Sequence, residues 1–237
     1  MRIMFVGDSM TIGSSGDFTW RYRMWQHLNA AYGGPYRIVG PRCALHDAAT
    51  DAPSSHAYRD PDFPASARRH LAGWGEGWLH MGPLIGDAVR AHGADTLLVS
   101  LGLIDLGFYT NADQTAENVR HFVARARQAA PGVRAVLLPV IPNVRASADA
   151  AFAAECGRFN ELLAKAVGDL STPSSPLLLA SAPAAWDLAR DTYDGTHPSP
   201  TGEHLIAAAF ADAMHQAWGV GAPYAAPGVP QPAASAG

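Results

Sequence analysis

Lysine is almost missing from this 237-residue chain: Lys165 stands alone against sixteen arginines, and the formal net charge is −4. Such a chain has no basic field to hold a phosphate backbone through counterion release, so no nucleic acid partner is expected. Most lysine-based mechanisms are removed with it. Cysteine is equally scarce. Cys43 and Cys156 cannot build a disulfide framework, and they lack the paired spacing of a structural zinc site. His46, His56, His70 and His80 are scattered without H-E-x-x-H or another ligand spacing, so neither a metal nor a cofactor is expected. Long apolar runs are missing too. The opening MRIMFVGDSM offers four or five apolar residues before Gly7 and Asp8, too few for a signal sequence, and no stretch reaches the roughly 18 residues of a membrane span. The expectation is a protein without a membrane span, located in a cytoplasm.

What is present describes a globular enzyme-sized domain. Hydrophobic residues make up 48% and charged residues 16%, with 23 glycines and 18 prolines for turns, and the length suits one domain. Short continuous apolar runs at Ile3 to Val6, Thr96 to Leu101 and Val133 to Val140, with weaker ones at Tyr36 to Val39 and Leu177 to Ala180, read as strands buried on both faces. Between them lie amphipathic stretches at Trp20 to Tyr32, His80 to Ala91, Ala112 to Ala130 and Ala148 to Val167, and a last one at Pro200 to Trp218. This alternation predicts an α/β fold: a five-stranded parallel sheet in a three-layer α/β/α sandwich, with ligands at the carboxyl ends of the strands. Cys43 to His70 is polar, proline-bearing and aperiodic, and is expected to act as a lid. Residues 1–220 form the expected domain, and the Ala/Pro/Gly-rich residues 221–237 a flexible tail.

The first strand runs into Gly7-Asp8-Ser9-Met10, which puts Ser9 at a strand's carboxyl end. A nucleophile belongs there, where the amides that follow can face an oxyanion; an N-cap serine fits the same tetrapeptide. The segment is neither a Walker loop nor a dinucleotide fingerprint, because Gly13 precedes Ser14 and G-x-G-x-x-G is lacking, and Thr11 breaks the G-x-S-x-G elbow. A nucleophilic serine needs a base and an orienting acid. Asp194-Gly195-Thr196-His197 supplies both, with Gly195 permitting the turn that brings carboxylate to imidazole. Taken alone, the same four residues also fit an Asx-turn with a surface histidine.

Together, Gly7-Asp8-Ser9-Met10 near the start and Asp194-x-x-His197 near the end resemble the SGNH, or GDSL-type, hydrolases in order and separation. The resemblance implies a flavodoxin-like sandwich, a triad of Ser9, His197 and Asp194, and acyl-ester chemistry. It also implies oxyanion donors from the Ser9 amide, a glycine amide and an asparagine. Gly75, within Ala72-Gly73-Trp74-Gly75-Glu76-Gly77, matches the glycine, with Gly73 as runner-up and a plain turn as the alternative. The family's Gly-x-Asn-Asp block here reads Gly102-Leu103-Ile104-Asp105, so Ile104 replaces the asparagine. Losing one such donor typically costs about 2.7 to 4 kcal/mol in the transition state. Thr11, Asn111 and Asn143 are candidate substitutes. Because Leu101, Leu103 and Leu106 make the surroundings apolar, an asparagine restored at 104 is expected to find no partner and gain nothing.

Asp8, Trp74, Ile104, Asp105, Phe108 and Tyr109 are the expected substrate-binding residues, with turn-capping as the alternative role of Asp105. The whole reads as a serine esterase or acyltransferase acting on a small-molecule acyl ester or thioester through an acyl-Ser9 intermediate. The rival reading is a binding protein that keeps the fold but has lost turnover. Oligomeric state is not legible.

Overall fold

The computed structural model describes residues 1–225. Its centre is a parallel sheet built from β1 (Arg2–Gly7), β2 (Arg37–Ile38), β6 (Thr96–Ser100), β7 (Arg134–Leu138) and β8 (Leu177–Leu179), in the order β2-β1-β6-β7-β8. The β1 and β6 strands pair from Ile3 with Thr96 to Gly7 with Ser100. Every residue of β6 is buried, as a central strand covered on both faces requires. The expected five strands are thus the path of the sheet. A sixth, β5 (Leu71–Ala72), joins β1 at Val6 and Gly7 on the side where β2 pairs with Arg2 and Ile3. Two residues carry no periodicity, which is why β5 was not legible.

Helices close both faces. On one, α2 (Trp20–Ala31) packs against α8 (Pro200–Trp218); on the other, α3 (Trp78–His92), α4 (Ala112–Ala129) and α6 (Ala150–Leu170) pack in succession. Local chemistry sets their ends. Asn111 caps α4 by accepting from Gln114 N, and Asp113 and Arg127 complement its dipole. Ser199 and Pro200 start α8, and Gly219, in the left-handed region at φ 62°, ends it. The result is the three-layer α/β/α sandwich anticipated from the alternation.

The polar segment 43–70 does not have the character of a lid. It leaves and re-enters the domain through a reciprocal pair of bonds, Arg42 N to His70 O at 3.0 Å and His70 N to Arg42 O at 2.9 Å. Between them, β3 (Leu45–Asp47) and β4 (Ala52–Ser55) form an antiparallel hairpin, while Leu45, Tyr58, Phe63 and Ala67 are buried in the main core. His70 itself is fully buried. Its Nε2 lies 3.0 Å from Ala44 O and its Nδ1 accepts from Ala72 N, and burial holds the ring well below its ordinary pKa as a neutral anchor. Aromatic anchors at irregular spacing hold an aperiodic sequence as firmly as a periodic face does.

The domain also runs past residue 220. Tyr224 donates its amide to Asp212 Oδ1 at 2.7 Å, and its hydroxyl lies 2.7 Å from His204 Nδ1. The rest of the expected tail falls outside the described residues.

Candidate active site

The site is built where β1, β5, β6 and β7 end. At the end of β1, Asp8 caps the single turn α1 (Ser9–Ile12), accepting from Met10 N through its side chain, and Ser9 is the first residue of that turn. The serine is nearly buried, yet its Oγ lies 2.9 Å from His197 Nε2. On the other side of the ring, His197 Nδ1 is 2.6 Å from Asp194 Oδ2. Asp194 Oδ1 accepts from the amides of Thr196 and His197 at 2.9 and 2.7 Å. Burial pushes the Asp194 carboxyl up, but the bonds from the His197 ring and from these two amides outweigh it and hold it below the ordinary range. The carboxylate is therefore ionised, and the imidazole is oriented with its free nitrogen on the serine.

Two glycines fix this geometry. Gly195 turns in the left-handed region at φ 84°, and a Cβ there would stand 2.7 Å from Val144 Cβ. The same contact ties the loop after β7 to the histidine loop, through Val144 N to Gly195 O at 2.7 Å and Asn143 Nδ2 to Thr196 Oγ1 at 3.1 Å. Gly75 has φ 70° with open space around it, so the backbone conformation alone favours glycine there. The short β5 delivers this turn: Gly73 N donates to Gly7 O at 3.2 Å, pinning residues 73–77 beside the serine. That bond spends the Gly73 amide, whereas no described residue accepts from the amides of Ser9 or Gly75.

A cavity of about 390 Å³ opens over Ser9 and His197, lined also by Trp74, Gly75, Leu103, Ile104, Phe108, Tyr109, Asn143, Arg145, Phe152 and Thr196. Phe108 and Tyr109 ride on a π-helical turn, Asp105–Tyr109, closed by Thr110 N to Asp105 O at 2.8 Å, and are 76% and 54% exposed. Single π-turns of this kind recur at functional sites.

Ser9, Asp194, His197, Gly75, Trp74, Ile104, Phe108 and Tyr109 are thus brought together as expected. Asp8 and Asp105, expected at the substrate, do not line this cavity. Asp8 is buried beneath the serine as a cap, and burial, with the nearby Asp105 adding repulsion, raises its carboxyl to about 7. Asp105 is fully buried and accepts from Trp78 N and Leu79 N at 2.8 and 3.1 Å, capping α3. Asp105 thus spends both oxygens on the N-terminus of α3, and Asp8 spends Oδ1 on that of α1. Among the proposed substitute donors, Thr11 is buried against Trp20 and Asn111 caps α4; only Asn143 reaches the cavity.

Arg145 and Phe152 were not singled out from the sequence. Arg145 spends Nη1 on Gly107 O at 3.0 Å and Nε on Asp149 at 3.2 Å, with its guanidinium 4.3 Å from the Phe152 ring centroid. Its address just after β7 was the available signal, since strand carboxyl ends gather ligands in this class of sheet. Tyr193 and His46 were also missed. They join a stack in which Trp74 lies 4.6 Å from the His197 centroid at 21°, Tyr193 lies 5.7 Å from it at 20°, and His46 lies 4.1 Å from Trp74 at 19°.

Residues 5–205 match the GDSL-like Lipase/Acylhydrolase family. The chain belongs to this family. It is accordingly a serine esterase of the GDSL type, and its sandwich is shared with solved esterases. A family 3 carbohydrate esterase from Talaromyces cellulolyticus is 22% identical over 91% of this chain and 97% of its own, with a TM-score of 0.73. One from Clostridium thermocellum is 19% identical over 91% and 96%, at 0.71. A catalytic mutant of an acetylxylan esterase from Geobacillus stearothermophilus is 14% identical over 90% and 93%, at 0.64. At these identities the likeness is one of fold. No curated protein sequence matches the chain. No helix among the described residues is long and apolar enough to cross a membrane.

Proposed function

We propose that this GDSL-family esterase removes a short, acetyl-type acyl group from an oxygen-rich alcohol such as a saccharide. The observation that carries the reading is the relay from Asp194 Oδ2 through His197 to Ser9 Oγ, at 2.6 and 2.9 Å, on the floor of a partly open cavity. Ser9 Oγ attacks the ester carbonyl carbon while His197 Nε2 takes its proton, and Asp194 stabilises the imidazolium that forms. The unspent amides of Ser9 and Gly75 would hold the oxyanion. Collapse of the tetrahedral intermediate breaks the bond to the alcohol oxygen, which receives the proton from Nε2. Water then attacks the acyl-Ser9 ester, gives a proton to His197, and leaves with the acyl group as a carboxylic acid.

Two features support the substrate class. Leu103 and Ile104 narrow the apolar wall near the serine, which suits a small acyl group. Phe108 and Tyr109 are exposed at the rim, beside the Arg145 guanidinium, and aromatic faces with a few convergent polar groups suit a sugar ring. The carbohydrate esterases that share the fold act in the same direction as support. A rival acyl transfer would need an acceptor that outcompetes water, and the exposure of Phe108 and Tyr109 leaves water free access. The test is release of acetate from acetylated xylooligosaccharides beside p-nitrophenyl acetate. The reading expects both to be hydrolysed and Ser9→Ala to abolish both; hydrolysis of the small ester alone would withdraw the saccharide.

A further inference from the structure

We propose that Tyr193 and Trp74 are positioning residues that clamp the imidazole of His197 between two parallel rings, so that the ring is presented edge-on to Ser9 and Asp194. The proposal rests on the reading of His197 as the general base. Both rings lie within about 20° of the imidazole plane, with centroids 5.7 and 4.6 Å away; in the proposed clamp they cover opposite faces, an arrangement in which the two make no stacking contact with each other.

The clamp is closed behind itself. Trp74 is backed by His46 at 4.1 Å and 19°, and His46 N donates to Gly13 O while Ser15 N donates to His46 O. Tyr193 is tied to the same strip of chain, its hydroxyl 3.1 Å from Ser14 Oγ. Ser14 N in turn donates to Asp17 Oδ2 at 2.7 Å. The circuit of Ser14, His46, Trp74, His197 and Tyr193 therefore begins and ends on the segment that follows the nucleophile. An imidazole held on its Nδ1 side only by Asp194 would pivot about that hydrogen bond; two flat faces against it remove that freedom.

Stacking also favours the charged form of the ring, because a cation over an aromatic face is attracted by the ring quadrupole. The titratable and charged groups around the imidazole are Asp194 and Tyr193 from its own loop, and Asp17 across from it. His46, behind Trp74, faces Asp51 at 3.6 Å. Burial raises the Tyr193 phenol to about 12, so it stays neutral and acts by its face alone. Trp74 and Tyr193 thus lower the cost of the imidazolium that forms as Ser9 attacks. This role is separate from substrate contact, since Tyr193 does not line the cavity.

The experiment compares Tyr193→Leu and Tyr193→Phe in the full-length esterase, reading kcat, KM and the pH profile of kcat/KM on p-nitrophenyl acetate. Tyr193→Leu is expected to lower kcat by about three- to tenfold, the scale of one aromatic pair, with KM unchanged. The acid limb should move to lower pH by about half a unit, as an imidazolium with less support loses its proton more readily. Tyr193→Phe keeps the ring and should match wild type in both. Trp74→Leu should move the acid limb the same way, which keeps the test open if Tyr193→Leu does not fold. A folded Tyr193→Leu with unchanged kcat and acid limb overturns the clamp. Ser9→Ala separates the two levels: if it keeps turnover, the general-base reading itself has failed.

Discussion

The residue that departs from the family pattern, Ile104, shares its cavity with Ser9 and Gly75, whose amides are proposed to hold the oxyanion. Of the leucines expected to isolate it, Leu101 and Leu106 point into the core and only Leu103 joins the cavity wall. Ile104 is itself half-buried, so an amide in its place would border the open cavity shared with Ser9 rather than a sealed apolar wall. The partial exposure of Ile104 argues for the opposite outcome to the one expected from sequence. Ile104→Asn is expected to raise hydrolysis of p-nitrophenyl acetate by tenfold or more, toward the roughly hundredfold that one oxyanion donor supplies, without loss of melting temperature. Turnover unchanged by the substitution would mean that the two amides already satisfy the oxyanion.

Asp8 carries a second consequence at this scale. Its carboxyl is raised to about 7 in the folded protein, from 3.8 for an unperturbed aspartate, chiefly by burial. A raised folded pKa means that the native state holds the proton more tightly than the unfolded chain does. Stability is then greatest below about pH 4 for this group and declines as pH rises toward 7. Asparagine keeps the cap on Met10 N and removes the titration. Asp8→Asn should melt higher than wild type at pH 8, by about 2 to 4 °C for each kcal/mol gained, with the advantage vanishing near pH 4. Equal melting temperatures at pH 8 would show that the carboxyl is not strained by burial.

At the scale of elements, the strands and helices that carry the fold were legible because each is long enough to display a period. The strand predicted at Thr96 to Leu101 and the helix at Ala112 to Ala130 agree with β6 and α4 to within a residue or so at their ends. What escaped is short or irregular. The two residues of β5 and the single turn of α1 have no period, yet they position Gly75 and Ser9. Segment 43–70 escaped for the opposite reason: its polarity suggested mobility, while Tyr58 and Phe63 pack by T-shaped contact at 5.2 Å and anchor it to Tyr22 and Trp25. Native-state hydrogen exchange at the amides of Arg42 and His70 should accordingly be as slow as in β6. Exchange there at the rate of an exposed loop would restore the lid.

At the scale of the whole molecule, the sequence separates the serine from its histidine by 188 positions, and only the sheet brings them to 2.9 Å. Ser9, Asp194 and His197 were nonetheless readable, because each sits in a short motif whose chemistry has few other uses in combination. The walls were less so. Trp74, Phe108 and Tyr109 were found through their neighbours, but Arg145, Phe152, Tyr193 and His46 belong to no motif and reach the site through tertiary packing that no local pattern encodes. Asp8 and Asp105, which share motifs with site residues, cap helix N-termini and do not line the cavity. Adjacency in sequence is thus good evidence for a backbone position and poor evidence for the direction of a side chain.

The central claim is that Ser9 is an activated nucleophile with His197 as its base. The most direct measurement is labelling of the folded esterase with a fluorophosphonate probe, followed by mass spectrometry of the peptides. The account predicts a covalent adduct on Ser9, formed by attack of its Oγ on phosphorus with loss of fluoride, and loss of that adduct in folded His197→Ala. Folded wild-type protein that takes no label at Ser9, or a His197→Ala variant labelled as fast as wild type, would contradict it.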